Sequence, residues 1–257
     1  MTDAVGLAVE FITQGYVVIP GAVTGAELEG MQSAFERLAS MHGKRHFVAD
    51  EIVAAPELVG FIGHPGVMPV VEAFFAHHGH GPAIACLHLC RDIFDPAASP
   101  TASAGGVVAD MLHCDVNAGS EHNLSYKTLN LSVASFLWLD DTYPDAGSLL
   151  QVPGSHHLAY EAADGSIVIP PIEFVKQHGG LDFVAAKAGD VVLQRGFNIH
   201  GTGPAPRHKR RQLRADYTPK ALYNHIRLDG KTGLHQQFAP ETRAMLPADR
   251  QRYFGDV

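Results

Sequence analysis

Past residue 80 this 257-residue chain becomes a succession of short apolar runs cut by turn residues, and that rhythm restricts its fold more than any other property. Ala83–Arg91, Leu129–Leu139, Ser148–Val152, Val191–Arg195, 198–202 and 210–217 read as strands, and Met111–Asp115 as a short strand end. Tyr143-Pro144-Asp145-Ala146-Gly147 and Ala188-Gly189-Asp190 read as turns between them. Before residue 80 the period is helical. Residues 4–14 form a short helix ended by Gly15, and Tyr16–Pro20 a strand. Thr24, with Glu27 three residues on, makes a capping box for a helix carrying Leu28, Met31, Phe35 and Leu38 on one face. A further helix after His64-Pro65 carries Val67, Val70, Val71, Phe74 and Phe75. Helices first and strands afterwards predict a β-sandwich with a helical layer, in a single domain over 1–257, and not an alternating βαβ fold.

Composition narrows the partners. Hydrophobic residues are 46% and charged residues 18%, which supports a packed core and excludes a disordered chain. A net charge of −8 argues against a general binder of nucleic acid or of anionic membranes. The most apolar stretch, Leu58 to Ala76, is broken by His64, Pro65, Pro69 and Glu72 and cannot span a bilayer. No Lys or Arg occurs before Arg37, so no leader of the secretory type is expected and a cytoplasmic location follows. Cys86, Cys90 and Cys114 read as buried thiols in a reducing compartment. No Gly-rich phosphate loop is present. Residues 95–109 read as a loop, 156–186 as a lid or insertion, and the last stretch, from about 218, is polar and hard to place.

Sixteen histidines invite a search for metal. His113-Cys114-Asp115 puts an imidazole and a carboxylate on one face of a strand, since i and i+2 project together. His200 follows much later, in Asn198-Ile199-His200-Gly201-Thr202. Two histidines and one carboxylate can hold one face of an octahedral ion and leave the other open, the arrangement of non-haem Fe(II) oxygenases. The remaining histidines have plainer readings. His77, His78 and His80 read as a solvated helix end. His88 reads as a core residue, and His156-His157 as structural or as support for the ligands. Trp138 reads as core. The basic run Arg207, Lys209, Arg210, Arg211 and Arg214 reads as one inward anchor with solvated neighbours.

The context of these residues resembles the phytanoyl-CoA dioxygenase family, iron- and 2-oxoglutarate-dependent enzymes, from about residue 8 to about 218. Phe11 to Gly21 is similar to the family's opening helix and strand. Leu139-Asp140-Asp141, Pro144, Gly147 and Val152-Pro153-Gly154-Ser155-His156 resemble its central strand, turn and P-G-S-H segment. Ala188-Gly189-Asp190-Val191-Val192-Leu193 resembles the strand before the distal histidine. The resemblance implies a mainly β double-stranded β-helix, or jelly roll, with N-terminal helices packed on one sheet.

It also implies Fe(II) held by His113, Asp115 and His200, with 2-oxoglutarate as cosubstrate and O₂ as oxidant. The family anchors the far carboxylate of 2-oxoglutarate with an arginine. Counting forward from His200 gives Arg211, and counting back from Tyr217 gives Arg210. A loop loses a residue more easily than a strand slips register, which favours Arg210. Thr202 is a second expected contact to that carboxylate. Asn117, Lys127 and Asn130 are candidates for contacts to a small-molecule substrate. An intact Asp115 leaves no room for halide and points to hydroxylation, with desaturation, cyclisation, endoperoxidation and demethylation as other outcomes of the same cofactors. The rival of another class is a non-catalytic jelly-roll protein that has kept a metal site. Neither substrate nor oligomeric state can be read from the sequence.

Overall fold

The computed structural model describes residues 3–42, 47–52, 54–90, 112–114, 130–144, 147–164, 166–168, 180–203, 210–223, 238 and 240–254. Helix α1 (Ala4–Gln14) starts where the Asp3 carboxylate accepts from the backbone N–H of Gly6 at 2.9 Å, and it ends at Gly15 in the left-handed region. Strand β1 (Tyr16–Ile19) follows, then α2 (Gly25–His42), which buries Met31, Ala34, Phe35 and Leu38. Strand β2 (Phe47–Val48) and the short α3 (Ala49–Ile52) and α4 (Pro56–Val59) lead to α5 (Met68–His77). Phe11 of α1 meets Phe74 of α5 edge-on, with ring centroids 4.9 Å apart.

The strands then come in two sheets. The large one has the order β1-β9-β4-β11-β3-β2, with β3 at Pro82–Cys90, β4 at Val133–Trp138, β9 at Val191–Arg195 and β11 at Gln212–Pro219. The small one has the order β10-β5-β8, with β5 at Leu149–Gln151, β8 at Asp182–Val184 and β10 at His200–Thr202. All pairings between these strands are antiparallel. A two-stranded ribbon, β6 (Tyr160–Glu161) and β7 (Ile167–Val168), stands beside them.

Alternation assigns the faces. Val17, Ile19, Val133, Leu137, Val191, Leu193, Leu213, Ala215 and Tyr217 pack with the helices in one core. Their neighbours Ala134, Phe136, Trp138 and Val192 turn the other way and meet Leu149 and Val184 of the small sheet. Each large side chain so buried contributes about 1.5–3 kcal/mol. The fold is therefore the expected mainly β sandwich with N-terminal helices on one sheet.

Three expectations change. The strand read over Leu129–Leu139 spans only Val133–Trp138, every residue of which is buried. Burial on both faces removes the period-2 signal. Within 156–186, β8 is a strand of the small sheet and not an insertion. In the last stretch, a short helix at Pro240–Ala244 and a turn at Gln251–Tyr253 bring Leu246, Tyr253 and Phe254 into the helix-side core. No helix among the described residues is long and apolar enough to cross a membrane.

Candidate functional site

His113 and His200 are one rung of a ladder. The His113 backbone N–H donates to the His200 carbonyl at 2.8 Å, and the His200 N–H returns to the His113 carbonyl at 2.9 Å. The ring centroids lie 4.4 Å apart, tilted by 56°. His200 is buried and His113 exposed, so the pair runs from the interior to an open side. Asp115, Asn117 and Lys127 lie outside the described residues. Among the described residues no cluster of three metal-holding groups occurs.

Behind His200 lies a buried polar network. Its Nδ1 is 2.9 Å from the Asn198 carbonyl oxygen and 3.1 Å from Nε2 of Gln194. Gln194 Oε1 accepts from Gln151 Nε2 at 2.6 Å, and Gln151 Oε1 accepts from Asn198 Nδ2 at 2.7 Å. Asn198 Oδ1 accepts from Ser155 Oγ at 3.0 Å, and Ser155 Oγ accepts from the N–H of Ile199 at 2.8 Å. Gln151, Gln194 and Asn198 are wholly inaccessible to solvent. A metal-holding imidazole gives its other N–H to a carbonyl or carboxylate. The Asn198 carbonyl is placed to take such a proton, and the Nδ1–H tautomer would leave Nε2 of His200 as a donor of the kind Fe(II) accepts.

Beside this network sits His156, whose Nε2 contacts the Ile12 carbonyl at 3.0 Å. Burial, with help from Arg195 and His157, pushes its imidazole down to about 3, so it is neutral. His78 is likewise pushed down to about 4, first by burial and then by Arg195, His77 and His80. It packs against Phe74 at 4.9 Å and is not the solvated cation expected at that helix end.

Arg210 and Arg211 occupy different environments. The Arg211 guanidinium donates from Nε to Asp140 Oδ2 at 2.8 Å, from one Nη to Asp140 Oδ1 at 2.6 Å and from the other to Glu36 Oε1 at 2.9 Å. It lies over the Phe35 ring of α2, on the helix side. Arg210 is buried in the other direction. Its guanidinium carbon sits 5.0 Å over the Trp138 ring, on the sandwich side, and its Nε donates to the Gly147 carbonyl at 2.8 Å. Thr202 stands two residues after His200 on β10, opposite Leu149, and is half-buried. Asn130 is held by Arg195, which donates to its Oδ1 at 2.8 Å and its carbonyl at 2.9 Å.

Sequence reasoning missed the inward residues of β11. Arg214 is paired with Asp216 at 2.7 Å and lies over Phe136. The Cys86 thiol donates to Asp216 at 3.2 Å, and burial raises its pKa. Cys86 and Cys114 are both buried and free of disulfides. The signal was in the chain: Gln212, Arg214 and Asp216 alternate with Leu213, Ala215 and Tyr217. The amides Gln151 and Gln194 gave no such sign, because each follows a run of apolar strand residues without an alternating partner.

Two antiparallel sheets face to face, helices on one outer face and a histidine rung at the small sheet's edge define the class: a double-stranded β-helix of the non-haem oxygenase type. The sequence profile of the family described as phytanoyl-CoA dioxygenase matches residues 11–212, and the chain belongs to that family. It is accordingly a 2-oxoglutarate-dependent dioxygenase, with Fe(II), 2-oxoglutarate and O₂ as its cofactor set. No curated protein matches it in sequence. Solved structures share the fold. The carbocyclase SnoK of nogalamycin biosynthesis, described as non-haem and α-ketoglutarate-dependent, is 18% identical with a TM-score of 0.65, over 86% of this chain and 85% of that one. HygX from Streptomyces hygroscopicus, solved with nickel and 2-oxoglutarate, is 18% identical with a TM-score of 0.58, over 85% and 87%. EctD from S. alaskensis, solved with bound Fe, is 17% identical with a TM-score of 0.62, over 93% and 84%.

Proposed function

We propose that the whole chain, 1–257, is one oxygenase domain that hydroxylates a C–H bond of a small organic molecule and releases succinate and CO₂. His113, Asp115 and His200 hold the iron, and Arg210 with Thr202 holds the far carboxylate of 2-oxoglutarate. The observation that carries this reading is the His113–His200 rung with the Asn198 carbonyl beside Nδ1 of His200.

Iron, once bound with 2-oxoglutarate and O₂, supplies the oxidising power. The protein supplies orientation and the exclusion of water. The ladder bonds fix the two histidine backbones side by side, from which both imidazoles project. Arg210, stacked on Trp138 in the dry space between the sheets, offers a guanidinium suited to bidentate pairing with a carboxylate. Arg211 is committed to Asp140 and Glu36, which supports Arg210 as the anchor. The inward pair Arg214–Asp216 adds charge to the same interior, which favours a substrate with polar groups over a purely apolar one. Buried thiols at Cys86 and Cys114 suit a reducing cytoplasm.

The test is succinate formation from 2-oxoglutarate by purified protein supplied with Fe(II). Asp115→Ala should abolish it. Full activity in that variant would remove Asp115 from the ligand set.

A further inference from the structure

The amides behind His200 can form their chain in either of two senses. Oxygen and nitrogen of an amide occupy equivalent positions, and turning Gln194, Gln151 and Asn198 together reverses every bond between them. In the sense described above, Gln194 donates to Nδ1 of His200. That nitrogen must then carry its lone pair, although the Asn198 carbonyl oxygen lies 2.9 Å from it. The proton would sit on Nε2 and close that atom to metal. The far end shows a second conflict. His156 is 2% exposed, and its Nδ1 has no hydrogen-bond partner. Its other nitrogen faces the Ile12 carbonyl and so carries the ring's one proton, which makes Nδ1 an acceptor. Asn198 lies within interaction range of that ring. A Cβ placed on Gly15 would fall 2.4 Å from Asn198 Oδ1 and 2.4 Å from His156 Nδ1, so both atoms converge on one spot.

Reversal removes both conflicts. His200 Nδ1–H donates to the Asn198 carbonyl with Gln194 Oε1 alongside. Gln194 then donates to Gln151, and Gln151 to Asn198. The two amide hydrogens of Asn198 go to Ser155 Oγ and to His156 Nδ1. Ser155 Oγ then accepts from both Asn198 and the N–H of Ile199, its own hydrogen turning away from Asn198, and the His200 proton sits on Nδ1 instead of Nε2.

We propose that the amide chain runs outward from His200 through Gln194, Gln151 and Asn198 to His156, and that His156 is thereby a positioning residue for the iron. His156 accepts at the far end and so sets the direction of every bond back to His200. A buried, fully satisfied amide chain admits only concerted reversal, since turning one member alone places two donors or two acceptors face to face. The inference rests on His200 as a metal ligand, and its test separates the two readings.

Nitrogen NMR on metal-free protein labelled with ¹⁵N in histidine and asparagine reads the chain directly. The expected result is His200 protonated at Nδ1, His156 protonated at Nε2, and a coupling across the hydrogen bond from the Asn198 amide to His156 Nδ1. His200 protonated at Nε2, or His156 Nδ1 without that coupling, overturns the proposal with no variant needed. His156→Phe should then mix the two His200 tautomers and weaken Zn(II) binding about tenfold, at the low end for outer partners of a metal ligand. A single Nδ1–H tautomer with unchanged Zn(II) affinity in that variant also overturns it. In His200→Ala, undiminished Zn(II) affinity would sink the ligand assignment itself, whatever the tautomers show.

Discussion

Arg210 and Arg211 are neighbours in sequence and lie on opposite sides of the large sheet, one over Trp138 inside the sandwich and the other over Phe35 of α2. Their loss should therefore show in different measurements. Arg210→Ala is expected to raise KM for 2-oxoglutarate roughly 30-fold or more, the effect of truncating one partner of a desolvated charge pair. Arg211→Ala should leave that KM nearly unchanged and destabilise the fold by about 3 kcal/mol, since it strands the Asp140 carboxylate. Steady-state kinetics and urea unfolding of both variants check this, and the reverse pattern would move the anchor to Arg211.

Gly15 and Gly79 both have positive φ, 82° and 74°. They differ in space: a side chain at Gly79 meets nothing within 4 Å, whereas at Gly15 it strikes Asn198 and His156. Gly79→Ala should cost about 1–2 kcal/mol, the left-handed penalty alone. Gly15→Ala should cost clearly more and lower Zn(II) affinity as well. Equal midpoints in urea for the two variants would count against tight packing around Asn198.

Acid should weaken the fold through His156. Its folded pKa, about 3, lies below the ordinary value of 6.5, so the unfolded chain takes up the proton first. Stability is then fully present above about pH 6.5 and is lost as the pH falls toward 3, by at most about 1.4 kcal/mol per unit for one group. His156→Phe should lose less stability than the wild type between pH 7 and pH 5. Parallel losses would show that the imidazole is not held neutral.

Phe254 sits in the helix-side core and meets Phe238 edge-on at 5.4 Å. Phe254→Ala should destabilise by about 3–5 kcal/mol, as for other buried aromatics. A shift in melting temperature within error of the wild type would show that this segment contributes little.

How far these elements were legible depended on what surrounds each residue. α1 and β9 were readable to the residue, because Gly15 ends the one and the turn Ala188-Gly189-Asp190 precedes the other. β4 was read too long, because its two buried faces hide the alternation that marks a strand's ends. The choice between Arg210 and Arg211 could be framed from sequence but not closed, since the loop before them has no pattern to count against. Alternation with Gln212, Arg214 and Asp216 decides which face each takes. The amide chain escaped sequence reading altogether. Gln151 comes from β5, set opposite His200 by the pairing of β5 with β10, whereas Gln194 comes from β9 and Asn198 from the turn between β9 and β10.

The reciprocal main-chain bonds of His113 and His200 have a wider consequence. The spacing of the two histidine backbones is written in peptide groups, which every sequence possesses, while the set of the His200 ring is left to the amides behind it. Interior residues outside that chain can then change without moving the backbone pair. Chemistry and substrate preference become separately heritable traits in such a chain.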